Sequence, residues 1–139
     1  MKYKILFSVF LVFSTAFPMD RGVQWGPSDG FVIQPDGKRI VIGWNRLWSG
    51  KKLLAIERRL SNHFLDPSFG ENGLVTFELG LKAEGESVSL EDDGKILAKG
   101  YVWDTIIGEG HETPIIIRLN PNGSLDTSFG KNGIIRIEK

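Results

Sequence analysis

The chain has 139 residues, with 17 Lys and Arg against 17 Asp and Glu, and a formal net charge of zero. That balance argues against a nucleic-acid binder, whose phosphate contacts need clustered basic charge. An apolar share of 41% with 24% charged residues fits a globular chain rather than a disordered one. The 17 Gly residues favour a turn-rich β architecture, and the absence of Cys removes disulfide scaffolds, thiol catalysis and thiolate metal sites.

Residues 1–16 read as an export signal. Lys2 and Lys4 supply the positive start, an apolar run from Ile5 to Phe13 follows, and Ser14-Thr15-Ala16 sets small residues at the two positions a signal peptidase reads. The run is shorter than the roughly 20 residues needed to span a bilayer as a helix, so cleavage after Ala16 is expected and no membrane span thereafter. The expected location is the periplasm or the medium. With Lys2 and Lys4 gone, 15 basic residues face 17 acidic ones, a formal charge of −2. Residues 17–29 form an N-terminal segment in which Gly22-Val23-Gln24-Trp25 offers an edge strand.

The remainder is a duplication, with repeat 1 at 30–80 and repeat 2 at 85–139. Asp36-Gly37-Lys38-Arg39-Ile40 returns as Asp93-Gly94-Lys95-Ile96-Leu97, and Gly43 as Gly100, an offset of 57. Leu65-Asp66-Pro67-Ser68-Phe69-Gly70 returns as Leu125-Asp126-Thr127-Ser128-Phe129-Gly130, and Asn72-Gly73 as Asn132-Gly133, an offset of 60. The three extra residues fall in loops, as expected of a duplicated supersecondary unit. Each copy parses into four strands, near 31–34, 38–44, 53–60 and 74–79, then 87–91, 95–102, 114–119 and 134–138. Asp36-Gly37, Asp93-Gly94, Asn72-Gly73 and Asn132-Gly133 read as tight primed hairpin turns. The Asp66 and Asp126 carboxylates are expected to cap the N–H groups of the turns that follow them, with Phe69 and Phe129 dropping into the core as plugs. The fold class is therefore all-β: two four-stranded antiparallel units.

These motifs, above all Arg118-Leu119-Asn120-Pro121-Asn122-Gly123-Ser124-Leu125-Asp126-Thr127-Ser128-Phe129-Gly130, resemble the delta-60 repeat family. The resemblance implies β-propeller blades in a bacterial, exported protein, and it implies almost nothing about activity. Repeat 1 departs from the pattern at Ser61-Asn62-His63-Phe64 and at Arg59, and repeat 2 at Glu91-Asp92.

Strand segments such as Ile40-Val41-Ile42 and Ile115-Ile116-Ile117 are apolar without alternation, which suits strands covered on both faces. Propellers ordinarily close with about 4–8 blades, so two blades leave outer faces in search of cover. Three arrangements compete: self-association into a ring, a small two-sheet sandwich, or a marginally stable remnant of a longer array. The first implies a homo-oligomer or a protein partner bound through apolar blade faces.

The copies differ most after their second strand. Repeat 1 carries an aromatic and basic loop with Trp44, Arg46 and Trp48. Repeat 2 carries an aromatic and acidic one with Tyr101, Trp103 and Asp104. Exposed Trp beside polar donors suits sugar stacking or a protein anchor, and opposite charge would let the two loops meet. The opposing reading packs Trp44 and Trp103 between the sheets and leaves only Trp48 exposed. His111-Glu112 with Asp104 and Glu109 lacks a second His at ligand spacing, so no metal is expected. Asn120–Asp126 lacks the terminal Glu of a calcium loop. Glu57 is expected to face solvent. With no nucleophile elbow, acid–base pair or phosphate loop, no catalytic residue and no cofactor is assigned. The expectation is a non-enzymatic interaction or scaffold module, with a small glycan-binding module as the alternative.

Overall fold

In the computed structural model, residues 30–104 and 111–138 are described. The signal segment, the edge strand at Gly22–Trp25 and Glu109 lie outside them. The described residues form eight strands and no helix: β1 (Phe31–Ile33), β2 (Arg39–Arg46), β3 (Lys52–Arg59), β4 (Leu74–Phe77), β5 (Lys82–Leu90), β6 (Ile96–Trp103), β7 (Glu112–Leu119) and β8 (Ile134–Arg136). They pair antiparallel in chain order into two meanders, β1-β2-β3-β4 and β5-β6-β7-β8. The expected all-β class with two four-stranded sheets is what the chain adopts.

The duplication holds down to the backbone. Gly37 and Gly94 take φ of 89° and 87°, Gly70 and Gly130 55° and 54°, and Asn72 and Asn132 both 53°. Asn72-Gly73 and Asn132-Gly133 are two-residue turns with both φ positive, the primed geometry that matches strand twist. The Asp-Gly turns differ from expectation. Gly37 donates to the Gln34 carbonyl while Gln34 donates to the Lys38 carbonyl, so the loop is three residues long and only its Gly has positive φ. Such a loop is a type I turn closed by a glycine bulge, and Asp36 instead accepts from the Lys38 N–H at 3.1 Å.

Strand β5 starts at Lys82, five residues before the expected position. Its charged positions Lys82, Glu84 and Glu86 and the interruption of pairing between Gly85 and Ser87 disguise it in sequence, since Gly and charge depress strand propensity. Only Ala83 and Val88 of this strand are buried.

The stacking of the sheets separates a propeller from a sandwich. Sheet one presents Val32, Ile40, Ile42, Leu54, Ile56 and Val75 to the shared core, and sheet two presents Val88, Ile96, Ala98, Val102, Ile115, Ile117 and Ile134. In register, Ile42 pairs with Ile56, whereas their counterparts Lys99 and Ile116 pair with each other on the opposite face of sheet two. Non-equivalent faces therefore meet: the front of blade one packs on the back of blade two. A two-fold sandwich of identical units would have apposed equivalent faces, so the arrangement is that of consecutive blades. Val41 and Ala55 form a second small cluster with Leu74 on the far face of sheet one. Glu57, expected in solvent, lies on that face at 1% exposure, where its Oε1 accepts from Arg59 Nε at 2.6 Å.

Candidate functional site

Two surfaces gather the chemistry: the seam between the blades with its repeated counterpart, and a groove at one end of the sheets.

At the seam, the Asp66 carboxylate accepts from the Ser68 N–H at 2.9 Å and the Ser68 hydroxyl at 2.6 Å, closing the expected turn. Its other oxygen accepts from Arg58 Nε at 2.8 Å. Burial by itself pushes Asp66 upward, but the Ser68 donors and the Arg58 guanidinium outweigh it and hold the carboxyl below the ordinary Asp value. The Arg58 guanidinium lies 4.7 Å above the Phe69 ring, which is fully buried as a plug. What buries it comes from repeat 2: Arg58 donates to the Pro121 carbonyl at 2.7 Å and Gly70 N–H to the Asn122 carbonyl at 2.8 Å. Gly123 completes the cover. Its φ is +93°, and a Cβ there would stand 2.9 Å from Gly70 N and 3.1 Å from the Phe69 ring.

The same assembly recurs in repeat 2. Asp126 accepts from Ser128 N–H and hydroxyl and from Arg118 Nε at 2.9 Å, and Arg118 lies 4.5 Å over Phe129. Lys95 adds a contact to Asp126 at 2.8 Å and is the main reason this carboxyl falls far below the usual range, followed by Ser128. Here, among the described residues, no turn arrives. Among the described residues Gly130 N–H has no acceptor, and Phe129 is only half-buried, which corrects the expectation of a second core plug. A plug needs the next blade's turn to cover it. Around Phe129 the front face of sheet two shows half-buried Leu97 and Ile116 and exposed Ile135, with Lys99 where sheet one has Ile42.

The groove lies where the β2–β3 hairpin meets the start of β5 and the end of β6. It is lined by Arg46, Gly50, Lys51, Lys52, Leu81, Lys82 and Trp103 and has a volume of about 410 Å³. Strands β2 and β6 run on past their expected ends, so Arg46 and Trp103 join Trp44 and Tyr101 on strand ends rather than in loops. Only the turn Leu47–Lys51 remains, closed by Leu47 N–H to the Lys51 carbonyl at 2.9 Å. Trp44 and Trp103 act as platforms for ammonium groups: Lys52 Nζ sits 4.1 Å over Trp44 and Lys82 Nζ 4.1 Å over Trp103. Glu84 bridges the blades, 2.6 Å from Lys52 and 3.7 Å from Lys82. Lys51 pairs with Glu78 at 2.8 Å. Arg46 leans on Trp44 at 5.2 Å and donates to the Gly50 carbonyl at 3.0 Å, and no carboxylate pairs with it among the described residues.

Of the six candidate binding residues, the groove thus joins Arg46 and Trp103, with Trp44 beside them as the platform of Lys52. Tyr101 stands next to Trp103, ring centroids 6.3 Å apart, and the Glu86 carboxylate pushes its phenol above the ordinary value. Asp104 turns away to accept from Arg136 at 2.8 Å. Trp48 is 86% exposed on the hairpin tip and does not line the groove. Trp44 and Trp103 are half-buried, between the two readings of the sequence. Lys52, Leu81 and Lys82 escaped selection in the sequence. Lys82 belongs to the concealed start of β5, and only the inter-sheet stacking brings it opposite Arg46. His63 and His111 are both exposed, and among the described residues no group of His and carboxylates could hold a metal ion.

With this geometry in view, comparison with protein families finds a match. A model described as a β-propeller domain of unknown function (DUF5122) matches residues 91–129, from the turn before β6 to the Phe129 motif. No curated protein and no solved structure matches the chain. The second repeat is therefore similar to a β-propeller domain, in agreement with the stacking of consecutive blades.

Proposed function

We propose that this chain is an exported, non-enzymatic interaction module whose binding surface is the front face of blade two. The observation that carries the reading is the seam. Blade one's Arg58, Phe69 and Gly70 N–H receive a turn from blade two, and blade two offers the matching Arg118, Phe129 and Gly130 N–H to solvent. An open backbone donor beside half-buried apolar side chains is a surface built for a complementary turn.

The occupant is a further blade of the same repeat type, carried by a partner chain and presenting an Asn-Pro-Asn-Gly turn. A second copy of this chain fits less well. Its corresponding turn has His63 where Gly123 sits, at φ of 75°, and an L-residue Cβ at that place meets the receiving backbone. The face it would bring, with Val41 and Ala55, is already buried. The delta-60 resemblance and the leader support an exported bacterial protein; N-terminal sequencing of the secreted product should begin at Phe17.

The test extends the chain after Lys139 with a third copy of residues 82–138. The added blade should slow hydrogen exchange of the Gly130 amide at least about tenfold, in line with its gain of a hydrogen bond and burial. The same extension with His at the copied Gly123 position should leave that amide fast. Equal exchange in the original chain and both extensions refutes the docking surface. A dimer of the unextended chain that already protects Gly130 would replace the partner blade with a second copy.

A further inference from the structure

The groove lies at the opposite end of β6 from the Phe129 seam, and its charge is the informative feature. Arg46, Lys51, Lys52 and Lys82 converge on one opening, while Glu78 and Glu84 are the carboxylates paired with them. Among the described lining residues and the carboxylates paired with them, four cations face two anions, in a chain whose total formal charge is zero. Concentrating like charge is unfavourable unless something offsets it. The Trp44 and Trp103 rings supply part of that offset, each holding a lysine ammonium 4.1 Å above its face. They also fix the ammonium positions, so the two Lys side chains have lost rotamer freedom before any ligand arrives. Arg46 completes the set with a planar fork of donors, only one of which is used, on the Gly50 carbonyl.

We infer that this groove is a binding site for the carboxylate of an acidic sugar, a uronate unit of a polysaccharide. The Arg46 guanidinium takes the carboxylate and Lys82, held on Trp103, and Lys51 flank it, while Leu81 forms the apolar wall against which the C–H face of the sugar ring lies. The groove is open and shallow, which suits a chain passing through rather than a buried small molecule. A nucleic acid fits poorly, because the basic cluster is confined to the groove and is interrupted by Glu78 and Glu84, where a phosphate backbone needs a continuous track. The inference uses none of the seam residues Arg118, Phe129 and Gly130, although Trp103 and Lys82 lie farther along the same front face, so exchange at Gly130 tests one reading and Arg46 substitution the other.

Isothermal titration of the full chain with a tetragalacturonate, with a neutral tetrasaccharide of equal length and with inorganic phosphate tests it. The uronate should bind, and the neutral sugar should bind at least tenfold more weakly. Arg46→Ala should weaken uronate binding about tenfold, and Arg46→Ala with Lys82→Gln by a further several-fold. Lys131→Ala, on the far turn before β8, should change nothing. Raising salt from 50 to 500 mM should weaken binding progressively. Because Lys82 also packs on Trp103, the thermal midpoint of each variant is measured alongside. Arg46→Glu, at an exposed position, provides a second variant in which binding should be abolished while the chain stays folded, the loss of the Trp44 contact and the Gly50 hydrogen bond being read from its midpoint. Uronate binding that survives Arg46→Glu, or no uronate binding by the folded chain, overturns the assignment. Phosphate binding as tight as the uronate would reduce the groove to a general anion site and overturn the sugar.

Discussion

Substituting Gly123 by Ala should separate the two blades more effectively than any change in their apolar core of comparable size. Two costs combine. A non-Gly residue at φ of +93° loses about 1–2 kcal/mol to backbone strain. The new Cβ would also stand 2.9 Å from Gly70 N and 3.1 Å from the Phe69 ring, distances that force the turn away from blade one. Withdrawal breaks the Gly70–Asn122 bond, worth about 1 kcal/mol, and the charge-assisted Arg58–Pro121 bond, worth about 1.5–3 kcal/mol. The sum is about 3.5–6 kcal/mol. Gly50 supplies the control: its φ is +90°, yet a Cβ there meets nothing within 4 Å. Gly50→Ala should therefore cost only the strain, about 1–2 kcal/mol. Urea denaturation of both variants, followed by tryptophan fluorescence, measures the difference. Equal losses for the two would refute the claim that the Gly123 turn holds the blades together.

Phe69→Ala should cost about 3–5 kcal/mol, the range for a fully buried aromatic, whereas Phe129→Ala should cost less than half of that because its ring is only half-covered. Thermal melts of the two variants check the asymmetry between equivalent positions. Acid should destabilise the chain through its carboxylates. Asp36, Asp66 and Asp126 all lie below their ordinary values when folded, so the unfolded chain binds more protons as pH falls. Their stabilisation is complete above the unfolded Asp value near pH 4 and is lost as pH drops through the folded values. Urea midpoints should be flat from pH 7 to about 5 and fall below about 4, and Asp126→Asn should flatten that fall. A midpoint that rises on acidification would contradict the assignment of these three groups.

The amino-acid sequence by itself determined the duplication, the strand count and the local turn chemistry. Asn-Gly forces its primed turns because both residues must take positive φ, and Asp66 and Asp126 cap the turns that follow them because a short carboxylate reaches its own backbone two residues on. These are short-range effects, legible in a few adjacent letters. Tertiary structure decided what depends on which copy faces which. Phe69 and Phe129 have the same local motif, but one is a sealed plug and the other a half-open ring, because among the described residues a following blade covers only the first. Glu57 reads as a solvent residue in an antiparallel strand and is buried, since burial on the far face of sheet one is set by packing rather than by alternation. The groove belongs to the same class. Arg46 and Trp103 were selectable from their loops, but Lys82 joins them only because the sheets stack front to back. That stacking leaves repeat 2 with the receiving face of a blade and no blade upon it among the described residues.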